Sequence, residues 1–110
     1  MEKYVSPTLE EIDKVGNLFK IIGDSTRLKI IFSLLEGDKT VTELSRATGG
    51  SQSLISHQLK ILKDNYIVSS KKNGNFVTYF LIDEHINILL NICRIHINEQ
   101  GDIWWNLILN

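Results

Sequence analysis

The sequence predicts a mainly α-helical chain that carries one two-stranded β hairpin. Apolar residues recur at three- and four-residue spacing over most of the first 64 positions and again from 83 to 99. Residues 66–72 and 76–82 are instead rich in β-branched and aromatic side chains, and Asn73-Gly74-Asn75 between them is a tight-turn signal. Gly-Asp and Gly-Gly dipeptides cut the helical stretches into short lengths.

Taken in order, residues 8–22 read as a helix on Leu9, Ile12, Val15, Phe19 and Ile22, and Gly23-Asp24 breaks it. Asp24 or Ser25 caps a second helix with the apolar face Leu28, Ile31, Leu34 and Leu35, which Gly37-Asp38 ends. Thr40-Val41-Thr42-Glu43 is a capping box, in which a hydroxyl and a glutamate three residues on satisfy free helix-end amides reciprocally. The helix it starts is short because Gly49-Gly50 follows. Ser51 caps the next helix, which runs to about residue 64. After the hairpin, residues 83–99 are helical and Gly101 is expected to stop them. Residues 102–109 then form a final short helix with Trp104 and Trp105, which extend a dimer interface. Two helices joined by a tight glycine turn and followed by a hairpin make the winged helix-turn-helix arrangement.

The 110 residues fit a single domain, 1–110, and 43% of them are apolar, enough for a core. A chain this short buries a modest fraction of its surface alone, and a second copy would relieve that limit. One cysteine, Cys93, rules out an internal disulfide framework and reads as a small buried core residue. The first residues are polar and no apolar run is long enough to span a bilayer, so a cytoplasmic protein with no membrane partner is expected. Net charge is −1. The distribution is more telling: Glu2, Glu10, Glu11 and Asp13 load one end with acid, while residues 51–80 hold Lys60, Lys63, Lys71 and Lys72 against Asp64 alone.

Wound at about 100° per residue, the fourth helix places Gln52, Ser53, Ser56, His57, Lys60 and Lys63 on one arc. Leu54, Ile55, Leu59, Ile61 and Leu62 fall opposite, with Gln58 the one polar residue among them. Read alone, this is an ordinary amphipathic surface helix. Behind a Gly-Gly turn and ahead of a lysine-bearing hairpin it suits a DNA groove. Gln hydrogen-bonds base edges, Ser (including Ser51) fits bases or phosphate, and Lys neutralises phosphate. The hairpin tip, Lys71, Lys72, Asn73 and Asn75 around Gly74, is placed to touch the DNA backbone or minor groove. The same lysines also serve to keep an edge strand soluble.

At this point the chain resembles the ArsR/SmtB family of repressors. The residues that carry the likeness are Phe19-Lys20-Ile21-Ile22-Gly23-Asp24-Ser25-Thr26-Arg27-Leu28, then Val41-Thr42-Glu43-Leu44. Ser51-Gln52-Ser53-Leu54-Ile55-Ser56-His57-Gln58-Leu59-Lys60-Ile61-Leu62 and Tyr79-Phe80-Leu81 continue it, so that it covers about residues 9–99. The resemblance implies a homodimer that represses an operon while metal-free and leaves double-stranded operator DNA when metal binds.

The last long helix points to metal independently. Its polar stripe is Glu84, Asn87, Asn91, Arg94 and Asn98, and the rest of residues 86–97 is apolar, histidine or Cys93. So wide an apolar surface asks for two partners, its own domain and a second chain across a two-fold axis. His85 and His96 are eleven residues apart and point nearly the same way, but about 16 Å of helix rise separates them. They cannot share an ion within one chain. In an antiparallel pair of these helices, Asp83 and His85 of one chain face His96 and Glu99 of the other, and two equivalent sites result. Two nitrogens and two carboxylates suit tetrahedral Zn(II), with Co(II) or Ni(II) as substitutes. The spacing is also similar to the C-terminal-helix zinc site of the SmtB-type branch. Asp83 is equally placed to act only as a helix cap. The family's other metal site uses cysteines on the third helix, and Thr40-Val41-Thr42-Glu43-Leu44 offers none, so soft-metal sensing by that route is unsupported.

Two other readings share these residues. One is a winged-helix repressor answering a non-metal signal, and the other is a dimeric metal-binding protein that never touches DNA. Salt-dependent operator binding separates the second from the repressors. An enzyme is not expected, because a four-ligand site leaves no open position and no nucleophile–base pair stands out.

Overall fold

The computed structural model describes the backbone of residues 3–109 and the side chains of residues 3–99. Its elements are α1 (Leu9–Ile22), α2 (Ser25–Leu35), α3 (Val41–Thr48), α4 (Gln52–Asp64), β1 (Val68–Asn73), β2 (Phe76–Leu81) and α5 (His85–Leu109). This is the winged helix-turn-helix order that the sequence predicts. No helix among the described residues is long and apolar enough to cross a membrane.

Three helix starts follow the expected caps: Asp24 accepts from the Arg27 amide, Thr40 from Glu43 and Ser51 from Leu54. Thr8, expected inside the first helix, caps it instead and accepts from the Glu11 amide. At α3 the box is complete, since Glu43 Oε1 also accepts the Thr40 amide at 3.0 Å. That backbone bond, helped by the Thr40 hydroxyl, holds the Glu43 carboxyl below the usual carboxylate range. A depressed carboxyl contributes stability above its unfolded value and loses it as pH falls through its folded value. A Thr40→Ala variant is therefore expected to unfold about 1 kcal/mol more easily in urea. The acid-side loss of stability should shrink in Glu43→Gln.

Gly49 ends α3 in the left-handed region at φ +79°, where a side chain is strained. A Cβ on Gly50 would sit 3.2 Å from the Ile55 Cδ1, so the two glycines let α3 and α4 approach closely. In the hairpin, Gly74 takes φ +62° and β1 pairs antiparallel with β2 from Val68↔Leu81 to Asn73↔Phe76. The hairpin is anchored at its root: the amides and carbonyls of Lys39 and Tyr79 exchange two hydrogen bonds.

One core joins the elements. It holds Ile22, Ile30, Ile31, Leu34, Leu44, Ile55, Leu59, Leu62, Ile67, Val68, Ile86 and Leu90. The α4 residues Ile55, Leu59 and Leu62 are buried there as expected, whereas Leu54 lies at the helix edge over Gly50 and keeps 39% of its surface exposed.

Two expectations need correction. Gly101 does not stop the last helix, and α5 runs unbroken to Leu109 with no separate final helix. A lone interior glycine costs a helix about 1 kcal/mol relative to alanine, which a long helix tolerates. The side chains of Trp104 and Trp105 lie outside the described residues. The helix also starts at His85, not at residue 83, with Asp83 Oδ1 accepting the His85 amide at 2.9 Å just before it.

The stripe that defines α1 by periodicity faces outward: Leu9, Ile12, Val15 and Phe19 are each at least 47% exposed, and only Ile22 is buried. The radius of gyration is 17.1 Å, against about 13 Å for a compact chain of this length. Of α5, the described residues buried in the core are Ile86 and Leu90, both in its first two turns.

Candidate nucleic-acid interface and metal centre

Helix α4 presents the polar arc that the sequence places there. Gln52, Ser53, Ser56, His57, Lys60 and Lys63 are all exposed, and the opposite side enters the core. At its start two side chains are already engaged. Ser51 Oγ accepts the Leu54 amide at 3.1 Å as the cap, and Gln52 Nε2 donates to Thr42 Oγ1 at 3.3 Å, tying the N-termini of α3 and α4 together.

The lysines divide more sharply than the sequence suggests. Lys60 pairs with Asp64 at 2.9 Å along the helix, and Lys63 donates to Ser70 Oγ at 2.8 Å, bridging α4 to the wing. Alternation along a strand puts Ser70 and Lys72 on one face of β1 and Lys71 on the other. Lys71 Nζ lies 2.9 Å from Asp38 Oδ2 and 5.5 Å from the centre of the Phe80 ring. Lys72 has no such partner among the described residues, and it shares the strand face that meets α4. At the tip Asn73 Nδ2 donates to Thr78 Oγ1 at 3.3 Å, and Asn75 is exposed in the turn.

Sequence reasoning missed the surroundings of the α4 arc. A cleft of about 540 Å³ lies between α3 and the wing tip, lined by Thr40, Thr42, Glu43, Arg46, Asn73, Phe76 and Thr78. Arg46 adds an exposed cation there, and Phe76 is 68% exposed. The one inward polar residue of α4, Gln58, proves to be the acceptor for Arg27 Nη1 at 2.9 Å.

On α5 three faces separate. Ile86 and Leu90 enter the chain's own core, whereas Cys93, expected as a buried core residue, is only half-buried on the same side of the helix. Asn87, Asn91, Arg94 and Asn98 form the polar face, where the Arg94 guanidinium sits 6.0 Å from the Phe32 ring. The third face carries His85, Ile88, Ile92, Ile95, His96 and Glu99, all exposed, within an arc of about 100°. Asp83 adjoins it: its Oδ2 lies 3.2 Å from His85 Nδ1, and the two side chains are 48% and 85% exposed. One chain thus brings Asp83 and His85 together and, farther along, His96 and Glu99 one turn apart. Among the described residues, no three His, Cys, Asp or Glu side chains of a single chain gather into a metal-binding group. The donor set fits a cation of borderline softness: imidazole and carboxylate, exposed and free of the core.

The family model described as bacterial regulatory protein, arsR family, matches residues 24–70, from the α2 cap into the first half of β1. The cadmium resistance transcriptional regulatory protein CadC homolog of Staphylococcus aureus is 36% identical over 90 residues, spanning 81% of this chain and 74% of that protein. The transcriptional repressor SdpR of Bacillus subtilis is 37% identical over 81 residues, spanning 70% and 90% respectively. Both are regulators of transcription and not enzymes. In fold, the chain is similar to the homodimeric winged helix-turn-helix DNA-binding domain Mb0332 from Mycobacterium bovis. The TM-score is 0.78 at 22% identity, over 93% of this chain and 94% of that one. On the family match and the length of these likenesses, the chain belongs to the arsR family of bacterial regulatory proteins.

Proposed function

We propose that the chain is a homodimeric repressor that holds operator DNA while metal-free and releases it when a divalent metal, zinc foremost, is bound. Asp83 and His85 of one protomer, with His96 and Glu99 of its partner, would hold the ion. The observation that carries this reading is the exposed third face of α5. It repeats apolar residues at three- and four-residue spacing, as a helix pairing surface does, with Asp83 and His85 at one end and His96 and Glu99 towards the other. Antiparallel pairing brings the two ends of different chains together, which supplies the second pair of ligands that one chain lacks. The exposed stripe of Leu9, Ile12, Val15 and Phe19 on α1 gives the same dimer more apolar surface to bury.

Two carboxylates balance the charge of a divalent ion, and two imidazoles favour zinc, with Co(II) or Ni(II) as substitutes. Cys93 is the sole thiol and stands on the core side of α5, so the reading does not use it. Release follows if the residues that hold metal do so better in a dimer geometry whose recognition helices no longer match successive major grooves. DNA must then weaken metal binding by the same factor.

For DNA, Gln52, Ser53, Ser56, His57, Lys60 and Lys63 of α4 would face the major groove, with Ser51 at its start and Lys71, Lys72, Asn73 and Asn75 contributed by the wing. Their inequality is testable. Lys72→Ala is expected to reduce the slope of log affinity against log salt by about 1, the effect of removing one lysine–phosphate ion pair. Lys71→Ala should change it less, because Asp38 already pairs that cation. Fluorescence anisotropy across a salt series reads both.

The reading as a whole is tested by anisotropy on the duplex upstream of the chain's own coding sequence, with and without zinc. Tight, salt-dependent binding of the metal-free protein that weakens on zinc addition is expected. No specific binding, or binding indifferent to zinc, cobalt and nickel, overturns it.

A further inference from the structure

We propose that Arg27 is a positioning residue: its guanidinium fixes the angle between α1 and the recognition helix α4, and so the half-site spacing at which two copies read DNA. The inference rests on the dimeric DNA-binding reading above.

Arg27 is the third residue of α2, and its amide donates to the Oδ2 of the cap Asp24 at 3.0 Å, so its backbone is held at the start of α2. Its side chain then reaches two other helices at once. Nε donates to the Ile21 carbonyl at 2.6 Å, and Nη1 donates to Gln58 Oε1 at 2.9 Å. The Ile21 carbonyl belongs to the last turn of α1, where carbonyls lack an intrahelical donor and a cation is favoured by the helix dipole. Gln58 lies on the side of α4 opposite its exposed polar arc.

One planar group therefore touches the inward sides of two helices whose outward sides carry different tasks. Outward on α1 are Leu9, Ile12, Val15 and Phe19, the proposed dimer stripe. Outward on α4 are Gln52, Ser56, Lys60 and the rest of the DNA arc. Apolar contacts keep helices together but leave rotation soft, because they have little directionality. A guanidinium holds its donors in a rigid fork, and charged donors make shorter and stronger hydrogen bonds. Arg27 and Gln58 are both half-buried, so water competes less for these bonds than it would at the surface. The position calls for arginine specifically: a lysine ammonium is a single point and carries no fork to span two fixed acceptors.

A small rotation of α4 against α1 is repeated by the two-fold axis in the second copy, so it changes the separation of the two recognition helices. Loss of the fork should therefore loosen spacing while leaving base preference within each half-site intact.

The test selects sequences from a random 40-bp duplex pool with the full chain and with Arg27→Met, Gln58→Leu and Gln58→Glu. The parent is expected to enrich two inverted half-sites at one narrow spacing. Arg27→Met and Gln58→Leu should enrich the same half-sites over several spacings and bind the parent's spacing about tenfold more weakly, the scale of removing one charge-assisted bond. Gln58→Glu keeps an acceptor for the guanidinium and should keep the narrow spacing. If Arg27→Met fails to fold, Gln58→Leu decides, since it leaves the bond to Ile21 in place. A narrow, unchanged spacing in the folded variants overturns the proposal, as does an equal loss of affinity at every spacing, which would mark a stability role alone. A parent that enriches no paired half-sites overturns the dimeric reading itself and this inference with it.

Discussion

A His96→Ala chain is expected to bind operator DNA like the parent and to stay bound when zinc is added. His96 is exposed and outside the core, so its loss should leave folding stability within about 0.5 kcal/mol. It is also absent from α4 and the wing, so the DNA surface is untouched. What changes is the donor set: each proposed site loses one of its two imidazoles. Even partners that only orient a ligand cost about 10- to 100-fold in metal affinity when removed, and a direct ligand should cost more. By reciprocity, DNA can be released only to the extent that metal prefers the released form, so the response collapses with the affinity. Calorimetric zinc titration should show at least about 100-fold weaker binding, and anisotropy should show no release at zinc levels that free the parent. Release at the parent's zinc concentration would remove His96 from the site.

The second large effect is expected from Ile92→Glu. Ile92 is 59% exposed and lies midway along the third face of α5, between His85 and His96. Because the single chain does not bury it, a carboxylate there costs the monomer little. In a helix pair the same carboxylate would be buried without a partner, which is strongly unfavourable. The variant should run as a folded monomer in sedimentation equilibrium, with helix content preserved. Both functions should fall together: the shared metal site disappears, and DNA affinity drops on the order of 10²- to 10⁴-fold as the second half-site becomes a separate binding event. A dimer of undiminished stability would show that α5 is not the pairing surface.

Much of the architecture is legible in local chemistry. The caps of α2, α3 and α4, the capping box at Thr40 and Glu43, the glycine end of α3 and the Asn-Gly turn of the hairpin each act over a few residues, and each is where the sequence puts it. The features that escape reading depend on what lies across space. Periodicity identifies the Leu9–Phe19 stripe of α1 but does not say what covers it, and among the described residues it stays at least 47% exposed. Lys71 and Lys72 are equivalent in composition, yet strand alternation sends one to Asp38 and leaves the other on the α4 side. Gln58 is an odd polar residue until Arg27, thirty-one positions earlier, is seen to meet it. Gly101 reads as a stop because glycine disfavours helix locally, but α5 passes through it. The candidate metal residues are legible in type and direction. Their completion as a site needs a second chain.

That dependence can be tested by mixing two defective chains. His85→Ala and His96→Ala homodimers each lack one imidazole in both sites. A mixed dimer has one site with all four ligands, Asp83 and His85 from one chain and His96 and Glu99 from the other, and one site with neither imidazole. When the two proteins are refolded together with Co(II), the visible absorption of tetrahedral cobalt should reappear, though neither protein shows it alone. If the mixture stays as colourless as its components while the parent develops the band, the four residues do not form a site shared between two chains.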